Sequence, residues 1–193
     1  MKITCQKTLV HKIMKMHNYI RISTKWRDTH LVNFVSISGT VTSISDFATA
    51  GTGEGEGCTK FISVDNMSGQ TVNFVVPPTT YFVEQAMVSV GDRVTVYYDG
   101  DAPVPLIYPP QYRALIMVKE SPYQNVKVDY FNNQLVSRDG QLKLNLSPFT
   151  SIVLTNGQAF SKYPSNRNLI VIYGATTRSI PAQTTPSKII VWC

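Results

Sequence analysis

Val35-Ser-Ile-Ser-Gly-Thr-Val-Thr-Ser-Ile44 alternates apolar and polar residues through Val35, Ile37, Gly39 and Val41. A period of two is the signature of a strand with one dry face. The glycine at its centre suits a strand that bends sharply, as the first strand of a small barrel must. Working outward, the same pattern returns in Thr59–Val64 and Gln70–Val76, separated by Asn66-Met-Ser-Gly69, whose Ser-Gly suits a tight hairpin. Pro77-Pro78 ends the third run because proline cannot donate to a ladder. A linker at Tyr81–Val88, a strand at Val90–Tyr98, a Pro-rich loop at Asp99–Pro110 and a strand at Tyr112–Val118 follow. Five strands with a connecting segment between the third and fourth form the layout of a small Greek-key barrel of the OB type.

The second half repeats this order. Val72, Phe74, Val76, Pro78 and Thr80 match Leu142, Leu144, Leu146, Pro148 and Thr150 at an offset of 70. Arg93–Tyr98 matches Asn168–Tyr173 at an offset of 75, and the same offset pairs Arg113–Met117 with Lys188–Trp192. Shared alternation alone makes any two β segments look alike, but here the prolines and a tyrosine coincide as well. The expectation is therefore an all-β protein of two tandem, duplicated OB-like β-barrels, the first over residues 31–122 and the second, shorter one over 123–193. In the second, Val126–Phe131 and Gln134–Val136 supply the first strands.

Residues 1–30 are different. They contain all three histidines, no Gly or Pro, and seven Lys or Arg against the single acid Asp28. Leu9, Ile13, Met16 and Ile20 fall at steps of four, three and four, which predicts a short basic amphipathic helix over residues 6–20. Of the net charge of +6, this arm accounts for all: the other 163 residues hold eleven bases and eleven acids.

Composition bounds the rest. Hydrophobic residues make up 43% and charged residues 16% of 193, an ordinary globular balance. Cys5, Cys58 and Cys193 are far apart and lack metal-ligand spacing, so free thiols are favoured over a zinc site, with one disulfide left open. No stretch reaches the ~18–20 apolar residues of a membrane span. Lys7, His11, Lys12 and Lys15 interrupt any signal-peptide core.

Catalysis at neutral pH usually needs a poised base or nucleophile. Residues 31–193 contain no histidine, and Asp92, Asp99, Asp101, Asp129 and Asp139 read as solvated acids at turns or strand ends. No enzyme, cofactor or metal is expected. Gly51-Thr-Gly-Glu-Gly-Glu-Gly57 lacks the helix start and the Lys that phosphate loops use, and reads as a flexible loop. A weak Ca²⁺ site on Glu54, Glu56 and Asp46 is its minor alternative.

The best binding candidate is the loop Pro103-Val-Pro-Leu-Ile-Tyr-Pro-Pro-Gln-Tyr112, in which prolines hold a shape and Leu106, Ile107, Tyr108 and Tyr112 offer apolar and aromatic area. Capping its own barrel is the equal alternative. Contact with a polyanion or an anionic membrane surface falls to Lys7, Lys12, Lys15, Arg21, Lys25 and Arg27. Nucleic acid is disfavoured, because a neutral body lacks the basic stripe that tracks phosphates.

Two stretches, Pro105-Leu-Ile-Tyr-Pro-Pro-Gln-Tyr112 and Thr177-Arg-Ser-Ile-Pro-Ala-Gln-Thr-Thr-Pro186, resemble uncharacterised envelope proteins of Gram-positive anaerobes, some labelled as containing a copper amine oxidase amino-terminal-like domain. The resemblance covers about Gly39 to Val191 and implies an extracellular or wall-associated β-rich module. It does not imply copper, since the body has no histidine cluster to hold it. The function expected is a non-catalytic binding or structural module of the bacterial cell envelope, with a protein or cell-wall ligand. The alternative is a single-stranded nucleic-acid binder using the basic arm.

Overall fold

The computed structural model describes residues 32–47 and 57–193. The helix expected over 6–20, the six basic residues of the arm, Cys5, Glu54 and Glu56 lie outside the described residues.

Thirteen strands follow one another among these residues. The first seven are β1 (Phe34–Asp46), β2 (Lys60–Asn66), β3 (Thr71–Val76), β4 (Tyr81–Phe82), β5 (Arg93–Asp99), β6 (Gln111–Arg113) and β7 (Ile116–Lys119). The other six are β8 (Asn125–Phe131), β9 (Leu142–Leu144), β10 (Ser151–Leu154), β11 (Arg167–Tyr173), β12 (Ala182–Thr184) and β13 (Lys188–Val191). They form a seven-stranded sheet in the order β4-β7-β5-β1-β2-β3-β6, a four-stranded sheet β10-β13-β11-β8 and a pair β12-β9. The protein is all-β in its described part. Val32–Cys193 is one compact unit.

β1 shows why the opening glycine is there. Its first half pairs with β5 and its second half with β2, both antiparallel, and Gly39 belongs to both registers. A Cβ on Gly39 would sit 2.1 Å from the main-chain oxygen of Asp65. β2 and β3 follow as a meander whose alternate residues Ile62, Val64, Val72, Phe74 and Val76 are buried.

The stretch 111–119 joins the sheet's two sides: β6 runs parallel to β3, β7 runs antiparallel to β5, and between them the Ala114 amide donates to Val75 and the Leu115 amide to Tyr97, each at 2.9 Å.

Several of these pairings recur in the second half. The Tyr81↔Ile116 register of β4 and β7 recurs as Ser151↔Lys188 in β10 and β13. The Phe74↔Tyr112 register of β3 and β6 recurs as Leu144↔Thr184 in β9 and β12. Where β1 and β2 pair along a ladder that includes Val41↔Val64, the second half has the single bridge Phe131↔Ser137. The sequence offset of 75 for the last strand is corrected to 72: Lys188 is equivalent to Ile116, not to Arg113. The cis bonds Tyr108-Pro109 and Ile180-Pro181 stand at this same offset.

Three apolar clusters hold the unit together. One lies in the first half around Val41, Val64, Phe74 and Val96, and another in the second half around Phe131, Leu142, Leu169 and Val191. A third is shared: Val83, Tyr97, Ile116 and Val118 pack with Val128, Ile170, Ile172 and Ile190. That shared layer explains why β11 is apolar at consecutive positions. Leu169 and Val171 face the second-half cluster while Ile170 and Ile172 face the shared one. Burying such a side chain stabilises by roughly 1.5–3 kcal/mol, and here the gain is spread over both halves.

Candidate binding site

The Pro-rich connection between β5 and β6 is fixed at its ends and free at its tip. Asp99 Oδ1 accepts the Asn33 amide at 3.3 Å and the Asp101 amide at 3.1 Å. The Gly100 amide donates to Asn33 at 2.8 Å, and at the far end Pro110 accepts the Asn73 amide at 2.9 Å. Between these anchors Leu106 is 101% exposed, Tyr108 87% and Ile107 53%.

Beside the loop is an apolar cleft of about 450 Å³, walled by Tyr98, Tyr112, Trp192, Pro103 and Val104. Tyr98 and Tyr112 stack with ring centroids 4.1 Å apart and planes at 24°, and Tyr112 also meets Phe74 at 6.2 Å. Trp192 is held edge-on by Phe34 at 5.8 Å. Burial raises the Tyr98 pKa, as do the nearby Tyr112 and a hydrogen bond to it, so the hydroxyl stays neutral in any ordinary buffer. The cleft thus offers ring faces and the neutral Tyr98 hydroxyl, a surface suited to apolar or sugar-like groups.

The four loop residues chosen from sequence therefore split. Leu106, Ile107 and Tyr108 form the exposed tip, whereas Tyr112 is half-buried in the cleft wall. Tyr98 and Trp192 escape a sequence reading because 94 positions separate them; only the alternation of Tyr97 and Tyr98 at the end of β5 hints that one ring faces away from the shared core. A second apolar groove of about 650 Å³, with Pro77, Phe82 and Val88 in its wall, carries Met87 on its rim at 84% exposure.

The main titratable cluster sits in a polar cavity of about 410 Å³ beside β8. Lys127 pairs with both Asp129, at 3.9 Å, and Asp139. Burial pushes the Asp129 carboxyl up, against hydrogen bonds from main-chain amides and the Lys127 charge. For Asp139 burial acts in the same direction but is outweighed by hydrogen bonds from Lys127, Ser137 and the Gln141 amide, and its pKa is lowered. Burial also pushes nearby Tyr97 up to about 12. Asp129 lies inside β8, which corrects its placement at a turn or strand end; Asp139 does hold a turn, accepting Ser137 Oγ at 2.6 Å and the Gln141 amide at 3.0 Å.

Among the described residues no group of three or more His, Cys, Asp or Glu could hold a metal ion, and Asp46, one of the residues considered for Ca²⁺, is paired with Lys60. Among them too, no helix is long and apolar enough to cross a membrane. Cys58 and Cys193 are both exposed. No protein-family model matches this chain, and no curated protein matches it.

Proposed function

We propose that this chain is a non-catalytic binding module of a bacterial cell envelope, whose Pro-rich loop grips a protein or cell-wall partner. The observation that carries the proposal is the loop tip: three consecutive large apolar side chains, Leu106, Ile107 and Tyr108, are held out in water by a segment anchored at both ends. Such a patch favours contact with a partner, and the prolines lower the entropy lost on binding. The envelope setting follows from the resemblance carried by Pro105–Tyr112 and Thr177–Pro186. The Lys127 cluster supports no catalytic role, since Asp139 is spent on its turn and both carboxylates share one lysine.

On this proposal each half is a duplicated small barrel of OB type. In the first half the pairings support it by running in a circuit, β1 to β2 to β3, on through β6 and β7, to β5 and back to β1. In OB-type barrels the connection between the fourth and fifth strands borders the ligand face, and here that connection is the Pro-rich loop.

Co-sedimentation with purified Gram-positive cell walls, before and after protease treatment of the walls, tests the function. The chain should pellet with walls, and Leu106→Asp with Tyr108→Ala should pellet several-fold less at an unchanged melting temperature. Protease-sensitive pelleting identifies a protein partner and resistant pelleting a wall polymer. Equal pelleting of the variant and the unaltered chain removes the loop from the binding surface.

A further inference from the structure

Residues 31–122 hold four Lys or Arg against nine Asp or Glu, while residues 123–193 hold seven against two, giving −5 and +5. Both acids of the basic half, Asp129 and Asp139, meet in the polar cavity beside β8. One wall of that cavity is β8 with the turn at Arg138 and Asp139, and the other is the start of β1 at Phe34 and Ser36. Its volume of about 410 Å³ falls within the roughly 300–1,000 Å³ of small-molecule sites. Four charges line it, two of each sign: Lys127, Arg138, Asp129 and Asp139.

These charges are not equally satisfied. Asp139 takes the Lys127 ammonium as a close partner, together with the Ser137 hydroxyl and the Gln141 amide. Asp129 is left with less. Lys127 stands 3.9 Å from it, too far for a hydrogen bond, and its donors are main-chain amides, Tyr130 at 2.8 Å and Asp139 at 3.5 Å. Its side chain is only 18% exposed, and burial holds its pKa up. Arg138 is the complement. Its amide is tied to the Tyr130 carbonyl at 2.8 Å and its guanidinium lies over the Tyr130 ring, 5.6 Å from the centroid. Among the described residues that guanidinium makes no ion pair and no hydrogen bond. One cavity therefore holds a carboxylate short of a donor and a guanidinium short of an acceptor, and the two do not pair with each other.

The strand does not require charge at this place. Where the first half has Ile37 and Gly39, facing Val96 and Val94 in register, the second half has Lys127 and Asp129, facing Val171 and Leu169. Ile37 packs against an apolar cluster. A carboxylate that burial penalises, set where the other half uses glycine, is the kind of local cost that marks a functional site.

We infer that this cavity binds a free α-amino acid, with its ammonium group on Asp129 and its carboxylate on Arg138. The four charges sum to zero, so a ligand of net charge would leave the site charged, whereas a zwitterion fills both unsatisfied groups and keeps the balance. The planar guanidinium fork fits a carboxylate and fixes its orientation. A neutral sugar also keeps the balance, but it stacks on an open ring face, and Arg138 covers one face of Tyr130. The site uses none of the loop-tip residues and stands independently of the function proposed for the loop.

Saturation-transfer NMR of the full chain against pools of the standard α-amino acids, followed by calorimetry of the strongest, tests this. At least one should bind saturably. Its N-acetyl and amide derivatives, which lack the ammonium and the carboxylate in turn, should bind roughly tenfold or more weakly than it does. Asp129→Asn should remove the discrimination against the N-acetyl derivative, and Arg138→Gln that against the amide. Asp129→Asn is expected to fold at least as stably as the unaltered chain, so binding lost there is not structure lost. Leu106→Asp with Tyr108→Ala should leave amino-acid binding unchanged, which keeps this test apart from that of the loop. No saturable binding from any pool overturns the inference, as does binding that survives both cavity substitutions. Binding of N-acetylglucosamine alone, titrated in parallel, would assign the cavity to sugars instead.

Discussion

Thr80 and Thr150, seventy positions apart, make the same hydrogen bond: each hydroxyl donates at 2.8 Å to a main-chain carbonyl of the last strand segment of its half, Ala114 in one case and Pro186 in the other. The neighbouring amides agree, with Tyr81 donating to Leu115 at 2.9 Å and Ser151 to Ser187 at 3.1 Å. A bond repeated between residues that differ in type at the acceptor marks a shared backbone plan more securely than shared apolar spacing does.

Thr80→Val and Thr150→Val should therefore both destabilise. Each keeps the side-chain shape but leaves a carbonyl without its donor, at a cost of about 1–2 kcal/mol. Thr150, only partly buried, should lie at the lower end. Urea midpoints with unchanged m-values check this; a neutral Thr150→Val beside a costly Thr80→Val would mean the second bond is a surface ornament.

Gly39→Ala should be among the most damaging single substitutions. The added methyl would meet the Asp65 main-chain oxygen at 2.1 Å and its carbonyl carbon at 2.7 Å, so β1 and β2 must move apart. A loss of about 3 kcal/mol or more is expected, in the range of overpacked cores. Calorimetry against Gly174→Ala, where the added carbon meets nothing within 4 Å, supplies the contrast.

Asp129 and Asp139, two acids on one lysine, should respond to pH with opposite signs. The raised pKa of Asp129 means its charged form weakens the fold at neutral pH, a penalty relieved as pH falls through that raised value. Asp129→Asn should thus stabilise at pH 7 by about 1 kcal/mol or less, with the gain fading in acid. The lowered pKa of Asp139 gives stability that is present above the ordinary value of 3.8 and lost as pH falls through the lower one. Its side chain is 44% exposed, so Asp139→Asn should cost only about 0.5 kcal/mol at pH 7. Melting temperatures from pH 2.5 to 7 separate the two; parallel curves would contradict this.

The all-β class is legible because β1, β2 and β3 bury alternate residues, and a one-sided strand writes its period into the sequence. The register of the last strand is not. Ile189, Ile190 and Val191 are buried on both faces, so sliding the match by three residues leaves the apolar pattern intact, and the offset of 75 looks as good as the true 72. The exposed loop tip is readable as apolar residues between prolines. The cleft beside it is not, since Tyr98 and Trp192 meet only through the topology. Neutrality of the body misleads for a related reason: a summed charge hides its distribution between −5 and +5 halves.

The central claim, that the Pro-rich loop and its aromatic cleft receive a partner, can be read optically. The chain has two tryptophans, Trp26 and Trp192, and Trp26→Phe leaves Trp192 in the cleft as the sole indole reporter. Titration of this variant with solubilised Gram-positive cell-wall extract should give a saturable shift in Trp192 emission that Leu106→Asp with Tyr108→Ala abolishes. An emission that never moves, or moves equally with the loop tip altered, would contradict the account.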